Sequence, residues 1–134
     1  MKNVPFKGII AYPITPFDSQ EKVDLPLFKQ QVERLVASGV HGIAPLGSTG
    51  VLPYLTDEEK EAVTEAAVQQ TAGRIPTLVG VSNLTTDKTV YHAQFAEKAG
   101  ASAVMIIPMS YWKLTDDEIV QHYDKVASSI SIPI

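Results

Sequence analysis

Four residues carry the strongest chemical suggestion in this chain: Gly47-Ser48-Thr49-Gly50. Glycines on either side let the backbone come close to a ligand, while two adjacent hydroxyls and free amides form a cradle for a carboxylate. A plain turn, in which Ser48 or Thr49 only caps the backbone, fits the same four residues. The stretch has neither the Gly-x4-Gly-Lys-Ser/Thr spacing of a phosphate loop nor a Gly-x-Gly-x-x-Gly dinucleotide fingerprint, so no nucleotide cofactor is implied. Tyr111-Trp112 is a second candidate, as a substrate wall, a proton relay, an interface anchor or simple packing. Lys113 beside it sits in a loop ahead of a helix cap, a poor place for a nucleophilic lysine, which needs a rigid and desolvated position.

The remaining titratable groups suggest structure. His41, His92 and His122 stand singly, His41 before a strand and the other two within helices away from the loops, and read as structural or surface residues. Asp57-Glu58-Glu59 fits a helix first turn that complements the dipole, and Asp18 stands alone. No metal-ligand spacing results. The chain has no cysteine, so disulfides and thiolate metal sites are excluded, as suits a cytoplasmic protein. Eleven basic against fifteen acidic side chains give a net charge of -4 with no basic cluster. That balance argues against nucleic acid or an anionic membrane as partner and favours small molecules or further copies of the chain. Met1 to Lys7 lacks the apolar core of a signal peptide, and no apolar run is long enough to span a bilayer.

The candidate loops need a scaffold, and the hydrophobic pattern supplies one. Short β-branched runs alternate with helix-period segments, which predicts βαβ units and a parallel sheet. Strands are expected at Gly8–Ile14, Gly42–Leu46, Pro76–Val81 and Ala103–Ile107. Helices are expected from near Asp24 to Gly39, from the capping box Thr56-Asp57-Glu58-Glu59, from Thr85 or Thr86 to Gly100, and from the capping box Thr115-Asp116-Asp117-Glu118. A fifth strand is expected to begin at Ile132-Pro133-Ile134. The loops after the four strands, including 15–18, 47–51, 82–85 and 108–113, then lie at one end, where parallel folds carry function. The whole of residues 1–134 reads as one unit. Periodicity alone permits half of a closed barrel or a small open doubly wound sheet.

The order of motifs separates these. Ile14-Thr15-Pro16-Phe17, Val23-Asp24, Gly39 to Ile43 with Gly47-Ser48-Thr49-Gly50, Leu55 to Glu59, Arg74-Ile75-Pro76 with Val79-Gly80-Val81, and Ala99-Gly100-Ala101 with Ile107-Pro108 together resemble the N-terminal half of the dihydrodipicolinate synthase and N-acetylneuraminate lyase family. The resemblance implies an α/β fold made of the first four βα units of a TIM (β/α)8 barrel. It implies a pyruvate-dependent aldolase or lyase that joins or cleaves pyruvate and an aldehyde through a lysine Schiff base, without a further cofactor or metal, in a homo-oligomer. Matched residue by residue, Ser48 is the proton-relaying hydroxyl, Thr49 with Gly47 and Gly50 holds the pyruvate carboxylate, and Tyr111 is the tyrosine that completes a neighbouring subunit's relay. The family's catalytic tyrosine and Schiff-base lysine fall on strands five and six, beyond Ile134, so the 134 residues alone are expected to be inactive. Val51 stands where the family usually has glutamate, and Met109-Ser110-Tyr111-Trp112 replaces its Pro-Tyr-Tyr pattern, which points to a divergent branch. Alternatives are a half-barrel assembly module and a carboxylate-binding module without turnover.

Overall fold

The computed structural model describes residues 6–134, so the sequence reading of Met1 to Pro5 lies outside the described residues. Four parallel strands follow one another in chain order: β1 (Ile10–Ala11), β2 (Gly42–Ile43), β3 (Leu78–Gly80) and β4 (Ala103–Met105). Ile10 pairs with Gly42 and Ala11 with Ile43. A parallel bridge from Ile43 to Thr77 joins β2 to β3, and Val79 pairs with Val104 across β3 and β4. The helices α1 (Leu25–Ala37), α2 (Asp57–Thr71), α3 (Thr86–Ala99) and α4 (Asp116–Ala127) pack each against the next. Neighbours in sequence are neighbours in space throughout. That makes one wall of a singly wound barrel and excludes the doubly wound sheet, whose strand order reverses at a switch point. Val104 N donates to Pro133 O at 3.0 Å, so the segment expected to open a fifth strand lies in the next position.

The helix starts are those the caps dictate. Both capping boxes form reciprocally, Thr56 with Glu59 and Thr115 with Glu118. Asp24 caps α1 by accepting from Leu27 N, and Thr85 caps α3 by accepting from Lys88 N. Gly100, at φ 101°, ends α3 in the left-handed conformation that glycine adopts without strain. The hydrogen-bonded strand ladders are shorter than the apolar runs. Pro13, Pro45 and Pro76 lie in or beside those runs, and proline has no N–H for a ladder.

Alternation sorts the strand residues. Ala11, Ile43, Val79, Val81, Val104 and Ile106 join the helix-facing core with Phe28, Val32, Val63 and Val126. Phe28 and Val32 are fully buried, each contributing about 1.5–3 kcal/mol by leaving water. Tyr12 and Ile107 turn the other way, onto the concave face, and remain 47% and 58% exposed. Within these residues the strands are therefore covered on the helix side alone. Around the outside, ion pairs tie neighbouring helical units: Glu33 with Arg74, Asp57 with Lys88, and Asp87 with Lys125. Among the described residues no helix is long and apolar enough to cross a membrane.

Candidate functional site

A pocket of about 280 Å3 opens where the carboxyl ends of the strands meet on the concave face. Its walls include Gly47, Ser48 and Thr49 from the β2 loop, Gly80 and Ser82 at the end of β3, and Tyr12 after β1. The β2 loop is held in shape by backbone contact. Leu46 has a positive φ of 59°, a costly state for leucine that turns the chain sharply out of the strand. Gly80 allows the turn to lie flat on β3, because a Cβ there would fall 1.9 Å from the Leu46 carbonyl oxygen. Gly80 N donates to Pro45 O at 3.0 Å, clamping the two strands at that point. From the other side the buried Thr15 hydroxyl donates to Gly50 O at 2.7 Å.

The loop leaves its own donors available. Among the described residues, the amides of positions 47 to 50 make no backbone hydrogen bond within the chain, and Ser48 and Thr49 are solvent-exposed. Adjacent unpaired amides beside two hydroxyls supply the kind of donor set from which anion-binding concavities are built. Both glycines are also required by packing within the chain. Gly47 lies under the Tyr12 ring and the Met105 methyl, where a Cβ would sit 3.2 and 3.3 Å from them. Gly50 packs on the Leu46 backbone, 2.9 Å for an added Cβ, and does not line the pocket.

Of the residues singled out in the sequence, Ser48, Thr49 and Gly47 come together here. Tyr111 does not join them: it is 87% exposed on the loop after β4, with its ring edge-on to Trp112 at 5.0 Å between centroids. Lys113 is exposed on the same loop. His41 accepts from Ile9 N at 3.0 Å at the opposite end of β1, and His92 is buried against Asp57 at 2.9 Å, both structural as expected. His122 differs from its reading as remote from the loops. Its Nδ1 lies 2.9 Å from Thr86 Oγ1, and the ring borders a second pocket with Asn83, Pro108 and Met109, since α4 packs on the start of α3 where the β3 loop ends. Burial lowers its pKa.

Asp57 also does more than complement a dipole. Hydrogen bonds from Lys88 and then His92 hold its carboxyl at about 2, linking α2 to α3. The Arg74 fork, with the Gln70 amide, does the same for Glu33. Tyr12, Leu52, Pro53 and Met105 line the pocket without belonging to any polar motif of the sequence. The signal for Tyr12 was available in the period-2 alternation of the first strand, which puts it on the inner face with Ile10.

Fold and pocket together define a parallel (β/α) half-barrel with free amides and exposed hydroxyls at the carboxyl end of its second strand. The chain belongs to the dihydrodipicolinate synthetase family, whose pattern it matches over residues 5–134. It is 38% identical over 128 residues to the 4-hydroxy-tetrahydrodipicolinate synthase of Bartonella quintana, an alignment covering 96% of this chain and 44% of that one. Among solved structures, a candidate dihydrodipicolinate synthetase from Pseudomonas aeruginosa superposes with a TM-score of 0.94 at 51% identity, over 96% of this chain and 44% of that one. An Escherichia coli K12 prophage protein of the dihydrodipicolinic acid synthase family, solved in complex with pyruvate, gives 0.92 at 30% identity, over 96% of this chain and 43% of that one. The chain thus spans less than half the length of the relatives it matches.

Proposed function

We propose that these residues form the carboxylate-binding half of a pyruvate-dependent Schiff-base aldolase or lyase, completed by a second half-barrel. The observation that carries this reading is the β2 loop, whose free amides and two exposed hydroxyls face a pocket at the catalytic end of a parallel barrel wall. Thr49 and the loop amides hold the pyruvate carboxylate, and that fixes the methyl carbon in one place for deprotonation. Ser48 relays a proton between the reacting carbonyl and the tyrosine on the fifth strand. The Schiff-base lysine comes from the sixth strand, so the 134 residues alone bind without turnover. Tyr111 and Trp112 present an exposed aromatic pair, suited to contact with a second copy whose site Tyr111 completes. Cytoplasmic residence accords with this chemistry.

Borohydride trapping with labelled pyruvate, read by intact mass, tests the reading. A pyruvate adduct is expected on the complete barrel and not on residues 1–134. No adduct on the complete barrel would refute a Schiff-base mechanism, and an adduct on the shorter chain would place the nucleophile among its own lysines, with Lys113 first to be mapped.

A further inference from the structure

The pocket beyond the cradle is chemically one-sided. Tyr12, Leu52, Pro53, Met105, Ile107 and Met109 face the loop that carries Ser48 and Thr49. Among the described residues no charged side chain lines it. The polar atoms on the apolar side already have neighbours: Ser82 Oγ accepts from Ile107 N at 2.8 Å, and the Tyr12 hydroxyl lies against Met105 Sδ at 3.9 Å. A charged substituent placed against this wall loses water and meets no counter-charge from it. An apolar substituent exchanges water for ring and thioether surface, and methionine adapts its shape to what it contacts. This wall begins directly at the cradle, because the Tyr12 ring and the Met105 methyl sit over Gly47.

Resting on the pyruvate reading above, we infer that the second substrate is an uncharged aldehyde with an aliphatic or aromatic substituent, and that Tyr12 and Met105 set its size. In the addition direction the pyruvate methyl carbon loses a proton, and the electron pair left behind forms the bond to the aldehyde carbon. The aldehyde carbonyl pair becomes an alkoxide that takes up a proton. The product, a 4-hydroxy-2-oxo acid, contains every atom of both substrates, so no oxidant or reductant is required. Cleavage is the same sequence reversed. The product is then a polar oxo-acid head in the cradle and an apolar tail on Tyr12 and Met105, the two chemistries that the pocket separates.

The test uses the complete protein with saturating pyruvate, comparing kcat/KM for benzaldehyde and butanal with that for the anion succinic semialdehyde. The uncharged aldehydes should lead by about tenfold or more, the scale on which an apolar pocket discriminates. Tyr12→Ala should move the preference toward the bulkier 2-naphthaldehyde, and Met109→Arg should raise the relative rate with succinic semialdehyde. Wild-type preference for succinic semialdehyde overturns the inference, as does a Met109→Arg variant that folds and keeps the original ratio. Trapping with pyruvate alone separates the two levels. No adduct defeats the pyruvate reading itself, whereas an adduct together with preference for the anion defeats only the inference about the aldehyde.

Discussion

Gly80→Ala probes the contact that shapes the cradle. A Cβ at position 80 would lie 1.9 Å from the Leu46 carbonyl oxygen and 2.6 Å from its carbonyl carbon. Backbone cannot swing aside as a side chain can, so β2 and β3 must separate by roughly 1 Å at a place packed to crystal density. The separation strains or breaks the bond from Gly80 N to Pro45 O. Losing that bond costs about 1 kcal/mol, and forcing a methyl into the gap about 1–3 kcal/mol more. The expected loss is therefore about 2–4 kcal/mol, read as a lower urea midpoint with unchanged slope. Since the Leu46 carbonyl leads directly into Gly47, pyruvate affinity should fall as well. A loss under about 0.5 kcal/mol with unaltered pyruvate binding would refute the claim that this contact fixes the loop.

Other perturbations have equally definite signs. Asp57, held at about 2 against a usual 3.8, contributes stability that is fully present above pH 4 and lost as pH falls toward 2. Because the carboxylate is one-third exposed, the contribution is discounted to about 1 kcal/mol, and Asp57→Asn should flatten acid unfolding over that window. Thr56→Ala and Thr115→Ala each remove a side-chain cap and should cost about 1 kcal/mol, with Ser in place of Thr recovering most of it in urea titrations. Tyr111→Ala should change stability by less than about 0.5 kcal/mol, given its exposure, while lowering kcat in the assembled protein if its ring completes a neighbour's site.

The elements legible in the sequence were those with local causes. Thr56 and Thr115 announced their helices because a capping box needs only four residues, and Gly100 announced a stop because its left-handed turn is intrinsic to glycine. Ser48 and Thr49 were legible because their chemistry is written in one short loop. What escaped depends on packing between distant residues. The need for glycine at position 80 comes from a carbonyl on another strand, 34 positions earlier, and no pattern around Gly80 reveals it. Tyr12 read as part of an apolar strand, and only its meeting with Met105 and Gly47 makes it a pocket wall. His122 looked remote because helix position was taken as distance from the loops, while α3 and α4 pack so that it reaches them. The choice of barrel over open sheet was legible only in the ordered motifs along the whole chain, since four similar βα units leave it open locally, and the strand order agrees with it.

The proposed role of the β2 loop is to hold a carboxylate. In the complete protein, pyruvate titration of Thr49→Val, with fold checked by circular dichroism, tests this most directly. Removing one hydrogen bond to a charged group should cost about 1.5–3 kcal/mol, roughly 10- to 150-fold in pyruvate affinity. A folded Thr49→Val protein that binds pyruvate as tightly as the parent would contradict it.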